Sequence, residues 1–358
     1  MFSTGDTMQL TNAISHSALS YLILGCLLFL AMLAYVFVAR RCGIIDIPNE
    51  RSSHNQPTVS GAGLLFPFAA VLWFVLSGMQ HTMIIIAMLL LTLVSFIDDL
   101  RQVNARLRVL FHFIAAGILL YSLGLSSLQW YVTLTAYLLV VGYINAGNFM
   151  DGINGMTAFF HLVTLGSFII LENFVPLVPM VSAGFVSETQ IQQLFPQGLV
   201  EILFLSVLVF SFFNARKKAL VFAGDAGSIS LSFIIAWLLI LLMLATGNIF
   251  WILLIATYGI DTAYTMIVRL RQREQALEAH RIHLHHLLVD VKRYPHLTIS
   301  ASYAITQLLI NVLTTWMIIT GYMNVFSFLV ILIGLVIVYA FFRSKVVNVQ
   351  SERHAGSC

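Results

Sequence analysis

The chain has 358 residues, of which 59% are hydrophobic and only 9% charged, with a net charge of +3. Soluble domains carry about a quarter charged residues, so this composition and a mean hydropathy of +0.93 exclude an ordinary soluble fold and point to a polytopic membrane protein. The small positive balance reflects topology and implies no nucleic-acid partner.

Apolar segments of roughly 17 to 22 residues can cross a bilayer as helices. In chain order they are expected at 18–39, 61–79, 82–97, 107–124, 128–145, 156–172, 197–213, 228–245, 249–268, 301–320 and 324–342. That pattern predicts an all-α membrane bundle of about 10 or 11 helices, forming one integral domain over residues 1–358. No basic residue precedes the first run, so it reads as a retained span and not as a cleaved signal peptide. The "FVPLVPMVSAGF" stretch holds two prolines and reads as a loop. Cys26, Cys42 and Cys358 have no spacing that suggests a disulfide framework or a zinc site.

Lys and Arg set the orientation. With the N-terminus outside, the inner segments are about 40–60, 98–106, 146–155, 214–227 and 269–300, plus the tail from Arg343, and all 18 Lys and Arg fall in them or within two residues. This is the positive-inside distribution, with a periplasmic N-terminus and a cytoplasmic C-terminus.

The unusual polar residues lie on that same inner side. They are "DIPNERSSHNQPTVSGAG" from Asp46, the pair Asp98–Asp99 at the lip of an apolar run, and "NAGNFMDGINGM" from Asn145. "NARKKALVFAGDAGS" from Asn214 and "RLRQREQALEAHRIHLHHLL" from Arg269 complete the set. Each has a bland explanation. The aspartate pair can be a wet helix end, the Asp151–Gly152 stretch a turn, Ser228 an N-cap and the histidines a surface cluster. Together they describe one cleft. Carboxylates from three segments (Asp98 and Asp99, Asp151, Asp225) suit a hard divalent cation, Mg²⁺ or Mn²⁺, better than zinc. Glycines beside Asp151 and Asp225 allow close backbone approach. The basic, histidine-rich segment supplies donors for phosphate oxygens.

Asp261 stands about 12 Å inside the ninth span, measured from Arg269 at 1.5 Å per residue. Ionisable groups at such depth are functional candidates by default; a buried hydrogen bond to a neighbouring Thr or Tyr is the plainer account.

These five ordered segments resemble the polyprenyl-phosphate N-acetylhexosamine-1-phosphate transferase superfamily, glycosyltransferase family 4, and within it the WecA-like and O-antigen initiating branches. The aspartate-rich motif matches Asp98 and Asp99. The "NxxDGxDG" element matches Asn148, Asp151 and Gly152, and "GDxGS" matches Gly224, Asp225, Gly227 and Ser228. His280, Arg281 and His283 fit "HRxH", while His283, His285 and His286 fit "HxHH". The His-His-His-x-Glu pattern of the MraY branch is missing, which argues against a muramoyl-pentapeptide substrate. The segment from Asn49 to Thr58, with Arg51, Ser52, Ser53 and His54, is similar to the O-antigen branch.

The chain departs from the pattern at several points. Val59, Ser60 and Ala62 replace an Arg and glycines, and Asn154 replaces a second aspartate. No proline follows Asn214, and Phe222-Ala223-Gly224-Asp225 stands for "FMGD". These changes bear on sugar selectivity more than on core chemistry, because the acids remain.

The resemblance implies transfer of N-acetylhexosamine-1-phosphate from a UDP-sugar to undecaprenyl phosphate in a bacterial inner membrane, with the site on the cytoplasmic face. It implies Asp225 as the principal metal ligand with Asp99 assisting, and Asp98 orienting the acceptor phosphate. Asp151 with Asn148 is implied at the nucleotide or an active-site water. His280, Arg281, His283, His285, His286 and Arg51 are implied on phosphates or sugar, with Gly152, Asn214, Gly224, Ser228 and Asp261 as further contacts. A homodimer is compatible with this reading. A membrane transporter is the rival class, disfavoured because the polar residues gather on one face instead of at the midplane. A catalytically dead scaffold is a second rival, opposed by the intact acids.

Overall fold

The computed structural model of the protein describes residues 18–48, 56–101, 103–175, 194–272 and 282–355. Helices dominate, as an apolar environment requires of a chain that must satisfy its own backbone. They are α1 (Ala18–Cys42), α2 (Leu65–Leu76), α3 (Thr82–Leu100), α4 (Ala105–Ser122), α5 (Trp130–Met150) and α6 (Met156–Phe174). There follow α7 (Leu199–Asn214), α8 (Gly224–Thr246), α9 (Ala256–Arg271), α10 (Leu284–Asp290), α11 (His296–Ile319) and α12 (Val325–Ala355). Two short strands, β1 (Ile45–Asp46) and β2 (Thr58–Val59), pair antiparallel.

Nine helical segments among the described residues are long and apolar enough to cross a membrane. The expected spans at 61–79 and 197–213 are corrected to shorter apolar helices, Ala62–Leu76 and Leu199–Asn214. The two pack side by side, and the Trp73 indole N–H donates to the Gln197 carbonyl at 2.8 Å. The ninth expected span also differs, opening as a 3-10 run over Ile249–Ile255 before α9 begins. Gln307 of α11 repairs the irregular stretch: its amide oxygen accepts from Thr257 N, and its nitrogen donates to the Leu253 carbonyl. Such re-satisfaction is what permits irregular backbone at membrane depth.

The core centres on α8, buried along most of its length between α3 and α5. At the other extreme, α12 and α1 present broad apolar faces outward, with Leu22, Leu30, Phe326 and Ile337 more than half exposed. Exposed apolar helix faces of this extent fit contact with lipid. The proline-bearing loop expected near "FVPLVPMVSAGF" lies mostly outside the described residues.

One crossing positions the site. After β2 the chain runs alongside the approach to α8: Phe222 N donates to the Val59 carbonyl, Ala62 N to Phe222 O and Gly63 N to Ala223 O, at 2.8–2.9 Å. Gly63 then meets Gly227 backbone to backbone. A Cβ on Gly227 would lie 2.4 Å from Gly63 Cα, and one on Gly63 would lie 2.5 Å from Gly227 Cα. Only paired glycines allow this approach.

Candidate active site

The end of α3, the turn after α5 and the start of α8 converge. Asp98 and Asp99 occupy the last turn of α3. Asp99 turns both oxygens to the start of α8, accepting from Asp225 N at 2.8 Å and Ala226 N at 3.1 Å. It is therefore an N-cap supplied by another helix, satisfying two donors that a helix start leaves open. Ser228 does not cap. The helix begins four residues earlier, and the Ser228 hydroxyl donates back to Gly224 O at 3.2 Å.

Asp98 accepts from Val103 N at 2.6 Å and pairs with Arg108 Nη1 at 2.5 Å. The same nitrogen reaches Asp225 Oδ2 at 3.1 Å. The Asn148 side chain, on the last turn of α5, approaches the Ser228 hydroxyl at 3.5 Å.

Asp151 follows α5 as its C-cap and accepts from the Thr157 hydroxyl at 2.5 Å. Burial pushes its carboxyl up to about 7; the nearby Asp225 and Asp99 push the same way, and the Thr157 hydrogen bond opposes. The next residue, Gly152, lies against the histidines. A Cβ there would fall 2.3 Å from His286 Nε2 and 3.1 Å from His285 Nε2.

Those histidines sit on and just before α10, a helix absent from the expected spans. All three are buried. Asp261 fixes two of them: its carboxylate faces His283 Nδ1 at 2.9 Å and His285 Nδ1 at 3.5 Å, and accepts from Leu284 N at 3.3 Å. The Tyr303 and Tyr339 hydroxyls donate to it at 2.6 and 2.9 Å. Asp261 is fully buried, and its oxygens are taken up by these donors. Arg343 of α12 closes the ring, donating to the Ile282 carbonyl at 2.5 Å and to the Tyr339 hydroxyl at 3.3 Å.

Asn214 is likewise committed to backbone. Its oxygen accepts from Gly155 N at 2.8 Å and its nitrogen donates to Val221 O at 2.9 Å. Asn154 completes this clamp by donating to the Arg216 carbonyl at 2.9 Å. A carboxylate at 154 could not donate that bond, which gives the departure from the aspartate pattern a local reason. Arg51, His280 and Arg281 lie outside the described residues.

The donor set can be tested against a divalent cation. Among the described residues no group of three acidic, His or Cys side chains forms a ready-made ligand shell. Asp99 faces amides and Asp98 is largely covered by Arg108, while Asp225, although it shares the same Arg108 nitrogen, keeps its side chain about 30% exposed with Asn148 nearby and is an accessible oxygen donor. An all-oxygen site short of protein ligands fits Mg²⁺ completed by water and phosphate, and does not fit zinc.

The chemistry missed from sequence is Arg108, together with Tyr303, Tyr339 and Arg343. Arg108 had a visible signal: a cation ten residues beyond Asp98, inside the lip of an apolar span. The two tyrosines had none, because their roles depend on how α9, α11 and α12 pack.

The geometry defines a class first: a polytopic helical membrane protein with an acidic site at one end of its bundle, faced by a histidine cluster. Comparison narrows it. The family model described as "Glycosyl transferase family 4" matches residues 81–243. The chain is 28% identical over 293 residues to the "Undecaprenyl-phosphate alpha-N-acetylglucosaminyl 1-phosphate transferase" of Yersinia pestis, covering 73% of this chain and 75% of that one. It is 24% identical over 273 residues to the "Probable undecaprenyl-phosphate N-acetylglucosaminyl 1-phosphate transferase" of Bacillus subtilis, covering 70% and 71%. A "Phospho-N-acetylmuramoyl-pentapeptide-transferase" of Thermotoga maritima matches less of the chain, 28% over 197 residues, covering 50% and 58%. Residues 81–243 are thus similar to glycosyl transferase family 4, and the named relatives belong to the superfamily that the motifs resemble.

Proposed function

We propose that the protein is a phosphoglycosyl transferase that moves N-acetylhexosamine-1-phosphate from a UDP-sugar to undecaprenyl phosphate. An oxygen of the lipid phosphate attacks the sugar-bearing phosphorus, the bond from that phosphorus to the UMP oxygen breaks, and UMP leaves with the electron pair. The product is a lipid-diphosphate sugar that initiates a cell-surface polysaccharide. The observation that carries this reading is the meeting of Asp98, Asp99, Asp151 and Asp225 at one end of the bundle, faced across Gly152 by His285 and His286.

Asp225, with Asn148 beside it, would hold Mg²⁺ or Mn²⁺, which when bound supplies charge stabilisation to the diphosphate. The protein's own groups do the rest. Asp98, in the last turn of a spanning helix, lies at the depth where a lipid phosphate meets water and orients it there. That phosphate has a second pKa of about 6 and is largely dianionic at neutral pH, so no obligatory general base is needed. Asp99 fixes the start of α8 and thereby the bearing of Asp225. His285, oriented through Asp261, and His286 beside it donate hydrogen bonds to the donor phosphates, and Asp151 with Gly152 borders the nucleotide.

The distribution of Lys and Arg supports a cytoplasmic location for this face of an inner-membrane protein. Purified protein given Mg²⁺, undecaprenyl phosphate and a panel of UDP-HexNAc donors is expected to release UMP, and EDTA to abolish it. No release with any donor would overturn the reading. UDP-N-acetylglucosamine is the first donor to test, because the relatives' names specify that sugar.

A further inference from the structure

Arg108 occupies a position that the transfer reading leaves unexplained. It sits in the first turns of α4, a helix opened by Asn104, whose side chain accepts from Arg106 N. From there its guanidinium reaches across the mouth of the site. One nitrogen, Nη1, lies 2.5 Å from Asp98 Oδ2 and 3.1 Å from Asp225 Oδ2. The Asp98 side chain is nearly buried, at 11% exposure, and the other two are about 30% exposed. A single guanidinium therefore ties the end of α3 to the start of α8 and covers one oxygen of the carboxylate assigned to the cation.

Charge bookkeeping makes the contact consequential. Asp98 and Asp225 contribute two negative charges beside Asp99 and Asp151, and Arg108 offsets one. A divalent cation on Asp225 would bring two more positive charges to the same oxygen. Like charges within about 4 Å repel by at least 1 kcal/mol even in water, and by several at the effective dielectric of a protein surface. Arg108 and the cation cannot both hold Asp225 Oδ2 at full strength.

We propose that Arg108 is a tethered counter-ion exchanged during the catalytic cycle. Without the cation it clamps Asp225 to Asp98. When the cation binds, Arg108 gives up Asp225, stays anchored on Asp98, and turns its freed donors to the phosphate of the lipid acceptor. Three helices supply the parts: α4 the guanidinium, α3 the permanent anchor, α8 the contested oxygen. Guanidinium suits this better than ammonium, because its planar fork keeps one anchor while presenting the remaining N–H groups to phosphate. The inference rests on the cation reading of Asp225 and adds an order of events to it.

The test is thermal stability of the purified protein titrated with Mg²⁺ alone, in wild type, Arg108→Gln and Arg108→Lys. In EDTA, Arg108→Gln is expected to melt several degrees below wild type. Its half-stabilising Mg²⁺ concentration should be about three- to tenfold lower, as expected for losing a competing charge worth about 1 kcal/mol. Arg108→Lys keeps the charge without the fork, so it should melt near wild type and move the Mg²⁺ midpoint the same way by a smaller factor. UMP release should fall in both, with KM for the lipid phosphate raised more than KM for the donor. A midpoint equal to or above wild type in whichever variant folds overturns the exchange while leaving the cation site standing. No Mg²⁺ effect on wild type overturns both.

Discussion

The protein holds carboxylates in two neighbouring places, one buried and one partly exposed, and treats them in opposite ways. Asp261 stands alone among donors: two imidazoles, one backbone N–H, two tyrosine hydroxyls and the Thr265 hydroxyl address its two oxygens. At the acidic mouth, four aspartates crowd together with Arg108 bridging two of them. A fully satisfied buried carboxylate is a structural part, and breaking such an arrangement is costly. A crowded, under-neutralised group is held against its own repulsion, which is what a cation and phosphate site requires. Under the proposed function, the difference separates groups that shape the site from groups that meet the cation and the phosphates.

The comparison predicts a crossed result. Asp225→Asn should lower UMP release by at least about a thousandfold, the scale of losing a principal electrostatic group, while melting in EDTA is unchanged or higher. Asp261→Asn should do the reverse in stability, losing about 3 kcal/mol or more for an interrupted buried charge network. Its activity should fall without any change in the Mg²⁺ midpoint. If Asp225→Asn melts lower in EDTA and Asp261→Asn does not, the division of roles is wrong. Differential scanning fluorimetry beside a UMP assay reads both.

Gly152→Ala probes the seam between the two regions. Its methyl would press on His286 and His285, so turnover should drop about a hundredfold, as expected for displacing a site group by around an ångström, with the fold retained. Wild-type turnover would show that the seam is loose.

Asp151 gives the smallest effect and a signed pH dependence. Its carboxyl is pushed up to about 7 from an ordinary value of 3.8, so between those values the folded state binds more protons than the unfolded. Stability is then greatest at low pH and declines as pH rises through about 7. In EDTA, the melting temperature of wild type should fall a few degrees more between pH 5 and pH 8 than that of Asp151→Asn. Parallel pH profiles would remove Asp151 from the repelling set.

Much of this architecture was legible from apolar length alone. Each of the eleven expected spans has a helix at its position, because twenty apolar residues have few other options in a bilayer. Two of those helices are short, which span length does not report when neighbours in the bundle cover them. The segments carrying Asp98, Asp151 and Asp225 were expected to meet, and they do. What no local pattern conveyed was employment. Asp99 looks like a metal ligand by motif, yet its oxygens cap a helix 126 residues away. Asn214 looks like a substrate contact, yet both ends of its amide hold backbone. Asp261 was expected to have at most a neighbouring Thr or Tyr as partner; Thr265 lies one turn on, but only the packing of α11 and α12 brings Tyr303 and Tyr339 to it. Partners so distant in sequence leave no periodic trace.

The glycine crossing of residues 63 and 227 has an evolutionary side. With Cα atoms where a methyl would have to go, neither position can drift through alanine without lifting the loop from the helix start, and Asp225 would move with it. A lineage could exchange many lipid-facing leucines freely while these two sites stay fixed, although they touch no reactant and carry no functional group. Their immobility under mutation would come from geometry alone, and a deep mutational scan should find them as intolerant as the aspartates they seat.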